Sequence, residues 1–383
     1  MNKITRKSFL KVLAATMVGG AAASALTGAA APVSIDETNG KVSRWVKNSL
    51  NPDGPLTIAK QGMFSSGGTV TAPVAGTYDA TTNWLDTTRA GNTAHVDHAN
   101  VLYQIPADSN GWPMVYLHGY GQSRMGWITT PDGRQGWADL FLRNGYSAFL
   151  VDQPRRGEAG STAQMSTDGF LDTWSADSKD YKPGDQAWYT HFRIGRVAPE
   201  RYEGSQFPEG DAAQNQFFRQ MTPNTGDFDQ AVAAAALGEV MKDVQTLTGH
   251  KSIFVTHSQG GAVGWDVPAD NIAAIVAIEP GGTPAIGSEQ YTKLLSAGIP
   301  IALYFGDYID NGPEDIMSTS FWRQVRDGAL AFAAQYNADG GDCTVVDLPK
   351  IGITGNSHFM FQELNNKEIA DHIYQWLESR ALA

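Results

Sequence analysis

The chain has 383 residues, of which 42% are hydrophobic and 18% are charged, and its formal net charge is −12. This length and apolar content are typical of a globular protein with a large core and not of a disordered chain. The negative charge argues against nucleic acid and anionic membranes as partners, and it leaves small neutral or apolar molecules. The single cysteine, Cys343, excludes an intramolecular disulfide.

The first thirty residues have the order of an export signal. A basic start that includes Arg6-Lys7 precedes an alanine-rich apolar stretch from Val12 to Leu26, and small residues follow it. Because that stretch is too short to span a bilayer, the order predicts a signal peptide over residues 1–30 and export of residues 31–383 to the periplasm or the medium. The basic pair resembles a twin-arginine signal with lysine in second place. We expect no stable membrane association after the signal is removed.

The apolar pattern predicts one α/β domain. Residues 55–71 and 99–105 alternate like antiparallel strands, and from Trp112 onwards short apolar runs alternate with longer amphipathic stretches, as in βα units on a parallel sheet. The runs occupy residues 113–117, 147–151, 252–256, 272–278, 299–305 and 343–348, and helices are expected at 136–143, 229–246, 260–267, 318–336 and 366–379. The prediction is a mostly parallel, twisted sheet flanked by helices.

Residues 154–228 interrupt this rhythm. The segment has no strong strand pattern and is rich in Gly, Asp, Gln and aromatic residues. Because so long a stretch is rarely structureless inside a domain, we interpret it as an inserted, largely helical cap. Its aromatic residues suit either a substrate pocket or the core of the cap itself. Arg155-Arg156 at its start suit either a substrate carboxylate or an anchor for the loop.

Ser258 lies between an apolar run and a helix that opens with Gln259-Gly260-Gly261. A nucleophile elbow needs this arrangement, because the serine backbone is strained and small residues must surround it. Thr256 occupies the place where glycine is usual, so the match is imperfect. The pattern predicts Ser258 as a nucleophile.

An oxyanion hole needs backbone N–H groups beside the nucleophile. The Gln259 N–H begins the helix after Ser258 and is one predicted donor. The other predicted donor is the Tyr120 N–H, in the glycine-containing loop His118-Gly119-Tyr120-Gly121 after the run 113–117.

A serine nucleophile also needs a base and an acid, which follow it in chain order in this kind of fold. His358, after the last apolar run, is the predicted base, whereas His372 lies in the final helix and is expected to be solvated or satisfied. Two acids compete: Glu279 and Asp307 end neighbouring apolar runs. Geometry alone allows either.

Five blocks of sequence together carry a family resemblance. They are His118-Gly119, 151–157, His257-Ser258-Gln259, 278–281, and 355–358 with Gln362 and Asn365-Asn366. In this order they resemble a small group of secreted bacterial esterases of the α/β-hydrolase fold. The resemblance implies a triad of Ser258, Glu279 and His358, with Asp307 as the alternative acid.

These residues indicate acyl transfer on a small or apolar ester through an acyl-enzyme intermediate. The chemistry requires no cofactor, and no metal is expected, because the acidic residues that follow Asp307 lack a calcium-loop spacing. An acyltransferase or an amidase would use the same triad, and a non-catalytic binding protein is the remaining alternative.

Overall fold

A computed structural model describes residues 54–72, 74–77, 90–91, 94–156, 185–220, 222 and 228–383. The predicted export signal lies outside these residues and stays a prediction. In the described ranges, no helix is both long enough and apolar enough to span a bilayer.

Eight strands form the central sheet, and two short strands form a separate ribbon. The strands are β1 (Ile58–Ser66), β2 (Thr69–Thr71), β3 (Ala94–Val96), β4 (Ala99–Pro106), β5 (Pro113–Leu117), β6 (Ser147–Asp152), β7 (Ser252–His257), β8 (Ile272–Ile278), β9 (Ile301–Phe305) and β10 (Cys343–Asp347). The central order is β1-β4-β6-β5-β7-β8-β9-β10. Only the β1–β4 and β4–β6 pairs in it are antiparallel. The predicted mostly parallel sheet of the α/β-hydrolase fold is therefore confirmed.

All the helices follow β5 along the chain, and all but the last lie between strands. Their bounds are α1 (Met125–Ile128), α2 (Trp137–Arg143), α3 (Asp185–His191), α4 (Asp211–Arg219), α5 (Gln230–Thr248), α6 (Gln259–Gly264), α7 (Glu289–Ser296), α8 (Met317–Ala338) and α9 (Asn366–Glu378). The two ends of helix α5 are fixed by capping residues. The Asp229 carboxylate accepts from two N–H groups of the first turn, and Gly249 ends the helix at a φ of 79°.

The middle of the sheet is buried on both faces. Every residue of β5, β6, β7 and β9 is buried. A parallel strand covered by helices on both sides needs a continuous apolar run instead of alternation, which is why these strands were readable from the sequence. The carboxyl ends of β5 to β10 consequently share one edge, where ligand sites of open parallel sheets lie.

Several elements differ from the expectation, among them the first strand and the helices α1 and α7. The single strand expected at 55–71 is two strands, because β1 pairs with β4 whereas β2 leaves the sheet and pairs with β3. The glycines at 67 and 68, both with positive φ, lie at the break. Helix α7 was not predicted. The Ser288 hydroxyl accepts from the Tyr291 N–H at its start, which is an N-cap signal that the sequence does contain.

The predicted cap is described only in part. Helices α3 and α4 lie inside the range 154–228, whereas residues 157–184 are outside the described ranges. The cap as a unit stays a prediction.

Candidate active site

Ser258 occupies a strained turn between β7 and α6. Its φ is 52° and its ψ is −118°, a conformation that a non-glycine residue adopts only when its surroundings impose it. The surroundings are backbone hydrogen bonds: the Ser258 N–H donates to Ile278 O at 3.1 Å, and Ser258 O accepts from the Gly261 N–H at 2.9 Å and the Gly281 N–H at 2.8 Å. The turn thus has the geometry expected of a nucleophile elbow.

Glycines make room for this turn. A Cβ on Gly260 would lie 2.5 Å from His118 O, and one on Gly261 would lie 2.6 Å from Pro280 Cβ. Thr256 fits where glycine is usual because α6 carries glycines where it faces Thr256: a Cβ on Gly264 would lie 3.3 Å from Thr256 Cγ2, and one on Gly261 would lie 3.5 Å from Thr256 Oγ1. The imperfect sequence match is therefore compensated within the same strand–helix unit.

We expect Gly260→Ala to destabilise the protein by roughly 1–3 kcal/mol and to lower activity, because the new methyl meets a backbone carbonyl that has nowhere to move. Gly328→Ala is the matched control. Gly328 lies in α8 with nothing within 4 Å of its hypothetical Cβ, so the change should be neutral or raise stability by up to about 1 kcal/mol. Thermal unfolding of the two variants measures the difference, and equal melting temperatures would contradict the steric argument.

The loop after β5 lies directly against the serine. A Cβ on Gly119 would lie 2.9 Å from Ser258 Cβ, so the backbone leading to Tyr120 passes beside the nucleophile. Gln259 is the first residue of α6, and a first-turn N–H has no acceptor within its own helix. The surroundings of both predicted oxyanion donors are thus consistent with their role, which stays a prediction.

The structure joins His358 to Glu279. The His358 Nδ1–H donates to Glu279 Oε2 at 2.6 Å, and both side chains are buried. That bond fixes the neutral ring as the Nδ1–H tautomer, which leaves Nε2 with a free lone pair. His358 Nε2 is buried and has no hydrogen-bond partner among the described residues. An imidazole held this way can accept a proton.

The same contacts bring this pair to the serine turn. The residue before Glu279 accepts a hydrogen bond from the Ser258 N–H. His257, the residue before Ser258, contacts the loop of residues 352–359 that carries His358, here called the histidine loop. His257 Nε2 lies 3.0 Å from His358 O, and the two imidazole centroids are 4.4 Å apart. Ser258, Glu279 and His358 therefore lie at one edge of the sheet, at the ends of β7, β8 and the loop after β10.

Asp307, the alternative acid, holds the backbone of the histidine loop and not the ring. Its carboxylate accepts from the Gly355 N–H at 2.9 Å and from the Tyr308 N–H at 2.7 Å. The Asp307 N–H donates to Asn356 O at 2.7 Å. The geometry thus favours Glu279 as the partner of His358.

Arg193 is a part of the site that the sequence did not indicate. It is buried, lies in the left-handed region at a φ of 65°, and its Nη2 forms an ion pair with Glu279 Oε1. The Gly306 N–H donates to the same oxygen at 2.8 Å. Burial would raise the pKa of Glu279, but the Arg193 guanidinium and the bond to His358 outweigh it and lower the pKa to about 2. Glu279 is thereby kept ionised.

Glu363 is the second residue of the site that the sequence did not indicate, and its carboxyl group contacts the histidine loop. It accepts from the Ser357 N–H at 2.9 Å and from Asn356 Nδ2 at 2.8 Å. Burial raises the pKa of Glu363 to about 7, although these hydrogen bonds oppose the rise. Its only sequence signal was its place among the polar residues that follow His358.

The aromatic residues of the predicted cap pack against the histidine loop. The Phe192 ring stacks on His358 at 4.7 Å between centroids, and Trp188 stacks on Phe217 at 4.8 Å. The His358 N–H donates to Phe192 O at 3.1 Å. These contacts help to fix the position of His358, and the choice between a substrate pocket and the core of the cap stays open.

The described residues also show the surroundings of Arg155 and His372. Arg155 forms a bidentate pair with Asp97 at 2.7 and 2.8 Å, and so it anchors its loop. His372 Nδ1 lies 2.9 Å from the Tyr304 hydroxyl, so this ring has a hydrogen-bond partner in a helix that does not carry the predicted triad. No group of three or more His, Cys, Asp or Glu side chains in the described ranges is arranged to hold a metal.

Comparison with known proteins supports a hydrolase. No family model matches the chain. A probable secreted lipase of a fungal species is 27% identical over 316 residues, covering 70% of this chain and 82% of the lipase. A novel bacterial esterase solved at atomic resolution is 31% identical, with a TM-score of 0.69, and the alignment covers 87% of this chain and 99% of the esterase. On its fold and on these similarities, the chain belongs to the esterase/lipase family of α/β-hydrolases.

Proposed function

We propose that the protein is a secreted serine carboxylic-ester hydrolase that works through an acyl-enzyme intermediate. The observation that carries the proposal is the buried His358–Glu279 pair, whose open Nε2 lies at the same sheet edge as the strained Ser258 turn. Export is supported by the basic and apolar order of residues 1–30 and by the similarity to a probable secreted lipase.

The mechanism follows from the hydrogen-bond pattern. His358 Nε2 takes the Ser258 hydroxyl proton as the oxygen attacks the ester carbonyl, and the C–O bond to the alcohol breaks as the same nitrogen returns the proton. Glu279, ionised and fixed by Arg193, stabilises the imidazolium that forms between these steps. The N–H groups of Tyr120 and Gln259 stabilise the oxyanion. Water, activated by His358, then releases the acid from Ser258.

A fluorophosphonate probe tests the proposal, since it reacts only with an activated serine. We expect the protein to be labelled stoichiometrically and to hydrolyse short neutral esters, and Ser258→Ala to lose both properties while unfolding at the same temperature. Labelling that persists in Ser258→Ala would move the nucleophile elsewhere. A folded protein that is neither labelled nor active would favour a binding function.

We also expect the activity to persist in mildly acidic solution. Burial lowers the pKa of His358 below its ordinary value of 6.5, with the Glu279 bond opposing part of that effect. The base must be neutral to work, so kcat/KM should be constant above the His358 pKa and fall as pH drops through it. The acid limb for a neutral ester should therefore have its midpoint below 6.5.

Glu363 must be controlled for in this profile, because it contacts the same loop and its pKa is raised to about 7. Glu363→Gln removes its titration and should leave the acid limb in place. A limb that disappears in Glu363→Gln, or a midpoint above 6.5 in both proteins, would contradict the assignment to His358.

A further inference from the structure

Arg156 is a buried cation that pairs with no carboxylate in the described ranges, and it lies beside the proposed active site. Three arginines are buried in the described part of the chain: Arg193 and Arg326 pair with carboxylates, whereas Arg156 pairs with none there. Its side chain is held by Nη1, which donates to Arg155 O at 3.1 Å, and its guanidinium carbon lies 5.4 Å from the Phe228 ring centroid. Its Nε is buried without a partner in the described ranges.

Burying a guanidinium costs solvation free energy, and no carboxylate in the described part of the chain offsets that cost for Arg156. Burial disfavours the charged form and lowers the pKa of Arg156 to about 10, yet the group remains charged at neutral pH. Evolution rarely keeps an uncompensated buried charge for stability alone, because a well-packed apolar side chain would serve better. A counter-charge supplied by a ligand would satisfy it.

The location identifies which ligand can do so. Arg156 follows β6, and its Nη2 reaches across the end of β5 to Gln259 Oε1, 3.4 Å away, on the residue after Ser258. His358 follows β10, which lies on the other side of β7 from β6 in the sheet order. The leaving alcohol must face His358 to receive its proton, so the part of an ester that extends towards Arg156 is the acyl part.

From this placement we propose that Arg156 binds a carboxylate on the acyl chain, so that the enzyme hydrolyses half-esters of short dicarboxylic acids. The proposal rests on the serine mechanism above and specifies its substrate class. Guanidinium is the side-chain group best suited to carboxylates, because its planar donors match the two oxygens. The chain must be short, because Arg156 contacts the residue next to the nucleophile.

Two esters of equal size test the proposal: monoethyl glutarate, which carries a carboxylate, and ethyl 5-amino-5-oxopentanoate, which carries a neutral amide in its place. Acid release is followed by titration. We expect kcat/KM to favour the half-ester, and Arg156→Met to lower kcat/KM for the half-ester roughly 10- to 100-fold, as loss of a charge-assisted hydrogen bond predicts. The amide ester should change by less than about threefold.

Two further variants and one binding measurement separate recognition from folding. Arg156→Lys keeps the charge and should recover part of the preference. Arg380→Met removes a partly exposed arginine that pairs with Asp342, and it should change kcat/KM for neither ester. Glutarate should protect Ser258 from the fluorophosphonate in the wild-type protein and not in Arg156→Met.

Equal losses on both esters in Arg156→Met, or a wild-type protein without preference for the half-ester, would overturn the inference while leaving the serine mechanism intact. Failure of the wild-type protein to react with the probe at all would instead overturn the proposed function, and the inference with it.

Discussion

Replacing His358 with alanine is expected to lower kcat by a factor on the order of 10⁶, the loss that follows when a serine hydrolase of this mechanism is deprived of its base. The reason is that no other described group can take the proton. His257, the neighbouring imidazole, has Nδ1 2.7 Å from Gln122 Oε1 and Nε2 3.0 Å from His358 O, so both nitrogens are occupied. Burial also holds the pKa of His257 well below its ordinary value.

His372→Ala is the matched control for this experiment. It removes the same side chain from α9, where the ring contacts the Tyr304 hydroxyl. We expect kcat to stay within about threefold of the wild-type value, because a single lost hydrogen bond far from the serine turn affects mainly stability. Steady-state kinetics with a neutral ester measure both variants. A His358→Ala protein that retains more than a thousandth of the activity would require another base.

The strands that build the site were predictable because their chemistry is local. Burial on both faces forces continuous apolar runs in β5 to β9, and each run ends where a polar or glycine-rich loop begins. Ser258, Glu279 and His358 follow such runs, and so their convergence at one sheet edge could be expected from chain order alone. The choice between Glu279 and Asp307 could not be made from chain order, because both residues follow adjacent parallel strands.

The missed residues act through contacts that no local pattern records. Arg193 is 86 residues from Glu279 in sequence and lies in a segment with no strand period. A lone arginine among aromatic residues has the same appearance whether it faces solvent or a buried acid. Glu363 likewise resembles an ordinary surface glutamate until its two hydrogen bonds to the histidine loop are known. Long-range pairs of this kind require the fold itself.

The two candidate acids can be separated by amide substitution. We expect Glu279→Gln to lower kcat by roughly 10² to 10⁴, and Asp307→Asn by less than about tenfold. Among the described residues, the Asp307 carboxylate accepts only from backbone N–H groups, and the amide of Asp307→Asn keeps one oxygen for one of them. The kcat of each variant on a neutral ester, with thermal unfolding as the measure of folding, decides between them. Equal kcat losses would contradict the assignment of Glu279.

The expected loss of kcat in Glu279→Gln follows from the hydrogen-bond donors that surround the carboxylate. Glu279 Oε1 accepts from Arg193 and from the Gly306 N–H, whereas Oε2 accepts from His358 Nδ1. A glutamine has one oxygen, and the two donors at the Oε1 position hold it there, so its NH₂ group faces His358. The ring must then accept at Nδ1 and carry its proton on Nε2, which is the wrong tautomer for a base. The same change leaves Arg193 buried without a counter-charge, so we expect Glu279→Gln also to lose about 3–5 kcal/mol of stability.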